Sequence, residues 1–270
     1  MNMAFELIDY AVADGVATLT LNRPERMNSF NAAMHLEVRS ALAEVAAAAA
    51  TGAVRVLVLT GAGRGFCAGQ DLAAEEASFD AAGNPPDLGQ VVRDYYQPLI
   101  LQLQALPVPT IAAVNGVAAG AGASIALACD LVVATASASF IQAFAKIGLI
   151  PDTGGTWFLP KRVGMARAMG LALLGDKLPA TEAQAQGLIW SAVADEDFAD
   201  SVQALAAQLA VAPTQALVQI RHAMRASLGN DLETQLGLEA QAMTELGQSA
   251  DFREGVLAFT EKRPAVFKGV

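Results

Sequence analysis

Side chains that attack substrates or bind metals are scarce in this sequence of 270 residues, which contains two cysteines and two histidines. Cys67 and Cys129 are too few for a disulfide framework, and no metal-ligand spacing surrounds them. His35 and His222 are far apart and fall in helix-like segments, without a neighbouring nucleophile or carboxylate motif. We therefore expect no metal site and no Ser-His-Asp triad, and we assign both histidines to helix packing or to the surface.

Positive charge is sparse as well. The chain has 17 Lys and Arg residues against 27 Asp and Glu residues, which gives a formal net charge of −10. Because a surface that binds nucleic acid needs clustered Lys and Arg, this balance argues against a nucleic-acid partner.

Charged residues of either sign make up only 16% of the chain, whereas hydrophobic residues make up 54% and the mean hydropathy is +0.38. No run of about 18 apolar residues is free of polar breaks, and the opening residues lack a basic region, so we expect neither a membrane span nor a targeting segment. The composition predicts a cytoplasmic protein whose surplus apolar surface is covered in a homo-oligomer.

Strands, glycine-rich loops and helices alternate along most of the chain. The predicted strands are residues 5–10, 16–22, 54–60, 110–115, 130–134 and a brief one at 139–140; the predicted helices are 31–50 and 88–106, with a polar excursion at 71–86. This alternation predicts an α/β fold with parallel strand pairing. From residue 161 onward the pattern is almost entirely helical, so we predict a core of residues 1–200 and a helical C-terminal region of residues 201–270.

Two of the loops share one design, in which a buried strand is followed by small residues, at 67–69 and at 120–122. Small residues let a ligand approach the backbone, and the N–H groups of a following helix can point at it. Two N–H groups that converge on one oxygen would form an oxyanion hole; the alternative is that these residues only permit tight packing. The glycines fit neither a P-loop nor a Gly-x-Gly-x-x-Gly dinucleotide loop, and no Gly-x-Ser-x-Gly elbow is present.

Asp152 is a lone carboxylate in the otherwise apolar neighbourhood of residues 148–156. It precedes a predicted helix, so its side chain could cap backbone N–H groups. Burial could instead raise its pKa towards a proton-transfer role. The local sequence leaves both interpretations open.

Six segments together resemble the crotonase superfamily, the enoyl-CoA hydratases and isomerases. They are NRPERMNSF (22–30), GFCAGQDL (65–72), VNGVAAGAG (114–122), CDLV (129–132), GLIPDTGGT (148–156) and REGVLAFTEKR (253–263). The resemblance covers nearly the whole chain in the right order. It implies a ββα spiral core with a helical C-terminal trimerisation region, an acyl-CoA thioester substrate, assembly as a trimer or a dimer of trimers, and no cofactor beyond the coenzyme A of the substrate.

The resemblance also implies roles for individual residues. The oxyanion donors would be the N–H groups of Ala68 and of Ala121 or Gly122, with Asp152 as the acid/base. Ser124 and Phe144 stand where hydratases of the family carry two glutamates, and neither can activate water. Contacts with the substrate and its CoA would come from Arg23, Arg26, Met27, Cys67, Gly69, Gln70, Asp71, Leu72, Val117, Phe144, Phe259 and Lys262.

A single carboxylate beside an oxyanion hole suits an isomerase. Within the family the chain looks most like members that convert ring-1,2-epoxyphenylacetyl-CoA to an oxepin and shift enoyl-CoA double bonds. Three alternatives remain open: an enoyl-CoA isomerase of fatty acid oxidation, an aryl-CoA dehalogenase-like hydrolase, and a non-catalytic acyl-CoA-binding protein. Lys146 and Trp157 receive no role.

Overall fold

The structure is a computed structural model that describes residues 5–269. Its strands are β1 (Ile8–Ala13), β2 (Val16–Leu21), β3 (Val56–Gly61), β4 (Gly65–Cys67), β5 (Thr110–Val114), β6 (Val117–Ala119), β7 (Leu131–Thr135), β8 (Ser139–Ile141), β9 (Lys177–Pro179) and β10 (Ser191–Val193). Its helices are α1 (Ala32–Ala50), α2 (Leu88–Val91), α3 (Gln97–Gln104), α4 (Ala121–Ala128), α5 (Gly155–Leu174), α6 (Ala180–Ala185), α7 (Phe198–Ala210), α8 (Thr214–Ala226), α9 (Leu232–Leu246) and α10 (Ala250–Glu261).

The strands form two sheets. The larger sheet has the order β1-β2-β3-β5-β7-β10 and is parallel except for the β1-β2 hairpin, and the smaller sheet has the order β4-β6-β8-β9. Along the chain, β3, β5 and β7 of the larger sheet are each followed by β4, β6 and β8 of the smaller one. Helices then return the chain, so the repeated unit is two strands and a helix, and the predicted ββα spiral is confirmed.

Local chemistry explains the first elements. Asp14 and Gly15 both have positive φ, 51° and 78°, which is the backbone of a tight two-residue hairpin turn. In β2, alternate residues are buried, with Ala17 and Leu19 completely covered. Asn31 caps α1 by accepting a hydrogen bond from the N–H of Met34 at 2.9 Å. These elements lie where the sequence pattern predicts them, within about two or three residues.

Four short strands were not predicted from the sequence. β4 and β6 lie inside segments interpreted as glycine-rich loops, and β9 and β10 lie in the region interpreted as almost all helix. The predicted helix at 88–106 is interrupted by a π-helical turn at Val92–Tyr96 between α2 and α3. Among the described residues no helix is both long and apolar enough to cross a bilayer.

Helix α7 packs on the larger sheet across the predicted division at residue 200. Its buried residues Val202, Ala206 and Ala210 join Val56 and Ile111 of the sheet in a second apolar cluster. Helices α8 to α10 follow it and bury few side chains; in α9 none is buried. The division into two regions stays a prediction, with α7 attached to the sheet.

Candidate active site

The two small-residue loops touch each other. A Cβ atom on Gly122 would lie 2.2 Å from the carbonyl oxygen of Cys67, and one on Gly69 would lie 3.2 Å from the backbone nitrogen of Ala121. Gly69 also has φ +96°, which side-chain-bearing residues rarely adopt. Only glycine fits at both positions, so the two loops pack tightly against each other.

The free N–H groups in these loops differ from those predicted. The N–H of Ala68 donates to the carbonyl of Met27 at 2.9 Å, and that of Gly69 points at the Cys67 sulfur at 3.4 Å. Within residues 5–269 the structure gives the N–H of Gln70 no acceptor, although both its neighbours bond to Phe30: the Gly69 carbonyl accepts and the Asp71 N–H donates. The N–H of Ala68, the predicted first donor, is therefore occupied, and the N–H of this loop that is left free is that of Gln70.

The second donor lies at the start of α4. The first N–H of that region to find a backbone acceptor is that of Ser124, which donates to the Gly120 carbonyl at 3.2 Å. The N–H groups of the first helical turn are thus left for a ligand. Of the two predicted donors, the backbone nitrogen of Ala121 lies beside Gly69, whereas Gly122 packs against the Cys67 carbonyl; which of them is a donor stays a prediction.

The side chain of Asp152 does not cap α5, so the capping interpretation was wrong. Thr153 and Gly154 both have positive φ, which delays the helix until Gly155, and Gly154 is the residue at its N-cap. Only the backbone carbonyl of Asp152 accepts from Gly155, at 2.7 Å, while its carboxylate accepts from the Thr153 hydroxyl at 2.7 Å.

The carboxylate of Asp152 is half-buried, and this burial raises its pKa above the ordinary value of 3.8; the hydrogen bond from Thr153 opposes the shift. A desolvated carboxylate binds a proton more strongly, which strengthens it as a base.

The first turn of α4 holds the loops of the site together. A Cβ atom on Gly155 would lie 2.9 Å from the Ser124 hydroxyl oxygen, so the loop that carries Asp152 packs directly on this turn. On another side, the ring of Phe144 comes within 3.8 Å of where a Gly120 Cβ would be. Ser124 and Phe144 are buried at these contacts and carry no carboxylate.

Several predicted substrate contacts are engaged within the protein instead. Arg23 forms an ion pair with Asp71 at 2.9 Å and also donates to the Ser29 carbonyl at 2.6 Å, so its guanidinium braces the loop that follows β4. The Met27 sulfur accepts from Arg64. Cys67 is fully buried, and burial raises the pKa of its thiol to about 12, which excludes it as a nucleophile at neutral pH.

The remaining predicted substrate contacts lie in two places, some close to the loops of the site and others at the end of α10. Arg26 and Leu72 are exposed near the first loop, and Val117 is half-buried in β6. Phe259 and Lys262 lie on and just after α10, where Phe259 is 87% exposed and Lys262 has the left-handed conformation that ends the helix. Among the described residues no hydrogen bond ties either of them to the loops around α4.

Sequence reasoning missed two polar partners of Gln70. The hydroxyl of Tyr96 donates to Gln70 Oε1 at 2.8 Å, and Gln70 Nε2 donates to Glu76 Oε1 at 3.2 Å. Tyr96 belongs to a predicted helix and Glu76 to a polar excursion, so neither carried a signal of its own. Glu76 is a second carboxylate close to the site and therefore a rival to Asp152.

Comparisons with known proteins agree with this fold. A model of the enoyl-CoA hydratase/isomerase family matches residues 11–270. The chain is 53% identical to the 1,2-epoxyphenylacetyl-CoA isomerase of Escherichia coli over 98% of this chain and 99% of the relative. It is 52% identical to a probable enoyl-CoA hydratase of Rhodobacter capsulatus over 99% of this chain and 100% of the relative. The crystal structure of an enoyl-CoA hydratase from Bacillus anthracis, 32% identical, superposes with a TM-score of 0.89 over 98% of this chain and all of that one. The resemblance is confirmed: the chain belongs to the enoyl-CoA hydratase/isomerase family.

Proposed function

We propose that this protein is an acyl-CoA isomerase that uses Asp152 as its acid/base and the N–H groups of Gln70 and Ala121 as its oxyanion hole. One observation carries the proposal. A half-buried carboxylate with a raised pKa lies on the loop that packs against the first turn of α4, and by the family resemblance Ser124 and Phe144 stand where a hydratase has its two glutamates.

The proposed reaction needs one base. The carboxylate of Asp152 removes a proton from the carbon next to the thioester carbonyl of a 3-enoyl-CoA, and the two N–H groups stabilise the dienolate oxygen. The same proton returns to C4, which gives the 2-enoyl-CoA. An oxyanion donor contributes about 3–4 kcal/mol and a general base about 10²–10⁴-fold. No oxidant or further cofactor enters this balance.

The substrate class rests on the relatives. The E. coli relative is named for a ring epoxide of phenylacetyl-CoA, and the identity of 53% covers all the loops of the site. We propose that this chain isomerises 1,2-epoxyphenylacetyl-CoA to the oxepin as well as shifting enoyl double bonds. The Rhodobacter relative favours the second candidate, a hydratase. The lack of a glutamate at positions 124 and 144 argues against it.

Substrate assays separate the candidates. The purified protein is given a 3-enoyl-CoA, crotonyl-CoA, a 4-halobenzoyl-CoA and enzymatically made 1,2-epoxyphenylacetyl-CoA. We expect isomerisation of the first and last, negligible hydration of crotonyl-CoA and no halide release. Crotonyl-CoA hydration as fast as isomerisation would overturn the proposal, and binding without any turnover would favour an acyl-CoA-binding protein.

Conservative variants decide between the two carboxylates. Asp152→Asn keeps the shape of the side chain and removes the base, so kcat should fall about 10²–10⁴-fold. Glu76→Gln is the matched variant. If Asp152→Asn retains full turnover while Glu76→Gln loses it, Glu76 is the base and the assignment to Asp152 is wrong.

We also propose that the protein assembles as a homotrimer or a dimer of trimers. Its support is the apolar surface of the C-terminal helices: α9 buries no side chain, and Leu232, Met243 and Phe259 are at least 70% exposed. A second copy of the chain would cover this surface. Sedimentation equilibrium tests the proposal, and a monomer at micromolar concentration would refute it.

A cytoplasmic location is part of the same proposal. Its support is that Cys67 and Cys129 are both free thiols, as expected in a reducing compartment. Fractionation of the producing cells tests it, with activity in the membrane or secreted fraction as the contrary result.

A further inference from the structure

Gln70 is the donor residue whose side chain is held at both ends. Its Oε1 accepts from the Tyr96 hydroxyl at 2.8 Å, and its Nε2 donates to Glu76 at 3.2 Å and to the Asp71 carbonyl at 3.4 Å. A carboxylate can only accept hydrogen bonds. Glu76 therefore fixes which end of the amide carries the nitrogen, and Tyr96 must donate to the other end.

Glu76 is itself anchored to a rigid element. The oxygen that receives Gln70 Nε2 also accepts from the N–H of Ala32 at 2.8 Å, the first residue of α1. The positive end of the helix dipole attracts a carboxylate at this place. Glu76 thus connects Gln70 to the N-terminus of a 19-residue helix.

Tyr96 has little freedom to move. Its side chain lies at the end of the π-helical turn Val92–Tyr96 and is 1% exposed. The ring of His35 meets it edge-on with centroids 4.4 Å apart, and Phe30 lies at 6.3 Å. π-Helical turns are rare and occur frequently at functional sites. Here the turn brings the hydroxyl of the buried Tyr96 to Gln70, in the loop that follows β4.

The backbone of Phe30 closes the remaining side. Its N–H donates to the Gly69 carbonyl at 2.7 Å, and its carbonyl accepts from Asp71 at 2.8 Å. The Gly69–Gln70 peptide group is thus bonded through its carbonyl and the Gln70–Asp71 peptide group through its N–H, while the N–H of Gln70 itself is left free. Held by its backbone neighbours and by its side chain, Gln70 has a fixed orientation before any substrate arrives.

We propose that Tyr96 and Glu76 are positioning residues that hold Gln70 through its side chain, so that its backbone N–H stays directed at the thioester oxygen. This inference rests on the proposed function of Gln70 as an oxyanion donor. Neither residue touches the substrate. Their effect is preorganisation: donors held in place stabilise the developing oxyanion without reorganising during the reaction.

Tyr96→Phe removes only the hydroxyl, and Tyr95→Phe is the matched control. Tyr95 lies in the same π-helical turn and stacks on His35 at 5.3 Å, but its hydroxyl takes no part in the hydrogen bonds of Gln70. We expect Tyr96→Phe to lower kcat for a 3-enoyl-CoA about tenfold with KM within about twofold, which corresponds to one lost buried hydrogen bond. Tyr95→Phe should retain wild-type kcat.

A spectroscopic readout separates positioning from general destabilisation. An unreactive acyl-CoA with an extended conjugated chain absorbs at longer wavelength when its carbonyl is polarised, so bound ligand reports the oxyanion hole without turnover. Tyr96→Phe should reduce this red shift, and Asp152→Asn should leave it in place. Thermal unfolding of each variant establishes that it is folded.

Each outcome has a defined meaning. A wild-type red shift and kcat within about twofold of wild type in Tyr96→Phe would overturn the positioning role while leaving the proposed function intact. A wild-type protein that gives neither red shift nor turnover would overturn the proposed function and this inference with it. Glu76→Gln should behave like Tyr96→Phe; a large loss of kcat with the red shift unchanged would make Glu76 a base instead.

Discussion

Alanine at position 122 would force apart the two loops of the oxyanion hole. The new Cβ atom would lie 2.2 Å from the Cys67 carbonyl oxygen and 2.8 Å from both the carbonyl carbon and the Cβ of Cys67. Ordinary contacts begin at 3.4 Å, so the loops would have to separate by about 1.2 Å in a close-packed interior. Gly122 lies inside α4 without a positive φ, so the predicted effect is steric.

The separation of the two loops by about 1.2 Å sets the expected loss of stability and the expected loss of catalytic rate. Overpacking of a core typically costs about 1–3 kcal/mol of unfolding free energy, which leaves most proteins of this size folded. A misplacement of about 1 Å at a catalytic site can cost about 10²-fold in rate. We therefore expect Gly122→Ala to lower kcat/KM for a 3-enoyl-CoA about 100-fold while the protein still folds.

The assay pairs steady-state kinetics with urea unfolding. Gly170→Ala is the control, because Gly170 lies inside α5 with no heavy atom near the position of its Cβ. It should keep wild-type kcat/KM and gain about 0.4–1 kcal/mol of stability. A Gly122→Ala variant with wild-type kcat/KM and unfolding free energy would refute the contact between the loops, and with it the placement of the Gln70 and Ala121 donors.

Three further predictions concern stability. The pKa of Asp152 is raised in the folded state, so the stability that its protonated carboxyl group contributes is fully present below the ordinary pKa of 3.8 and is lost as the pH rises through the folded-state pKa. Asp152→Asn should therefore unfold at a higher urea concentration than wild type at neutral pH, and this difference in midpoint should shrink as the pH falls towards 3.8. An unchanged midpoint at neutral pH would contradict the burial of the charge. Burial lowers the pKa of His35 to about 3, and the charge of Arg39 adds to the shift. The unfolding free energy of wild type should therefore decline by up to about 1.4 kcal/mol per pH unit below pH 6.5, and the decline should be smaller in His35→Phe. Parallel profiles of unfolding free energy against pH for the two proteins would exclude this titration as the cause. Arg221 donates to the carbonyls of Leu106 and Val108 and forms an ion pair with Asp130 at 3.2 Å, and its side chain is 6% exposed. Arg221→Met should lower the unfolding free energy by about 2–4 kcal/mol. A loss below about 1 kcal/mol would show that the two carbonyls and the Asp130 carboxylate find other partners.

The elements predicted well from the sequence carry their information locally. The strands predicted at 5–10 and 16–22 and the helix predicted at 31–50 are bounded by a turn at Asp14-Gly15 and a cap at Asn31, which each depend on residues within a few positions, so pattern and propensity suffice. β4 and β9 have three residues each, too few for any periodicity, and they exist because another strand lies beside them. Pairing of that kind is set by the whole fold, which explains why three of the four strands of the smaller sheet were missed.

The candidate site divides in the same way. The small residues at 67–69 and 120–122 are visible in the sequence, and the structure brings these two loops into contact. Which N–H group is free could not be predicted, since it depends on the Met27 carbonyl bonding to Ala68. Of the two interpretations left open for Asp152, the capping one failed for a related reason: Thr153 and Gly154 have positive φ, and the helix begins only at Gly155. The polar partners of Gln70 come from distant segments and had no local signal.

The absence of two glutamates and the preference for a double-bond shift are both connected with the exclusion of water from the site. A double-bond shift returns the proton to the substrate, so one carboxylate is sufficient and any nearby water is a competitor. Phe144 is 7% exposed, and its ring lies beside the start of α4, where it places apolar surface at a position that a hydratase gives to a glutamate. Low local polarity also raises the proton affinity of Asp152 and strengthens hydrogen bonds to a developing oxyanion. A phenyl ring where the family resemblance places a carboxylate therefore has two effects: it removes a base that would activate water for hydration, and it strengthens the remaining base and the backbone donors needed for isomerisation.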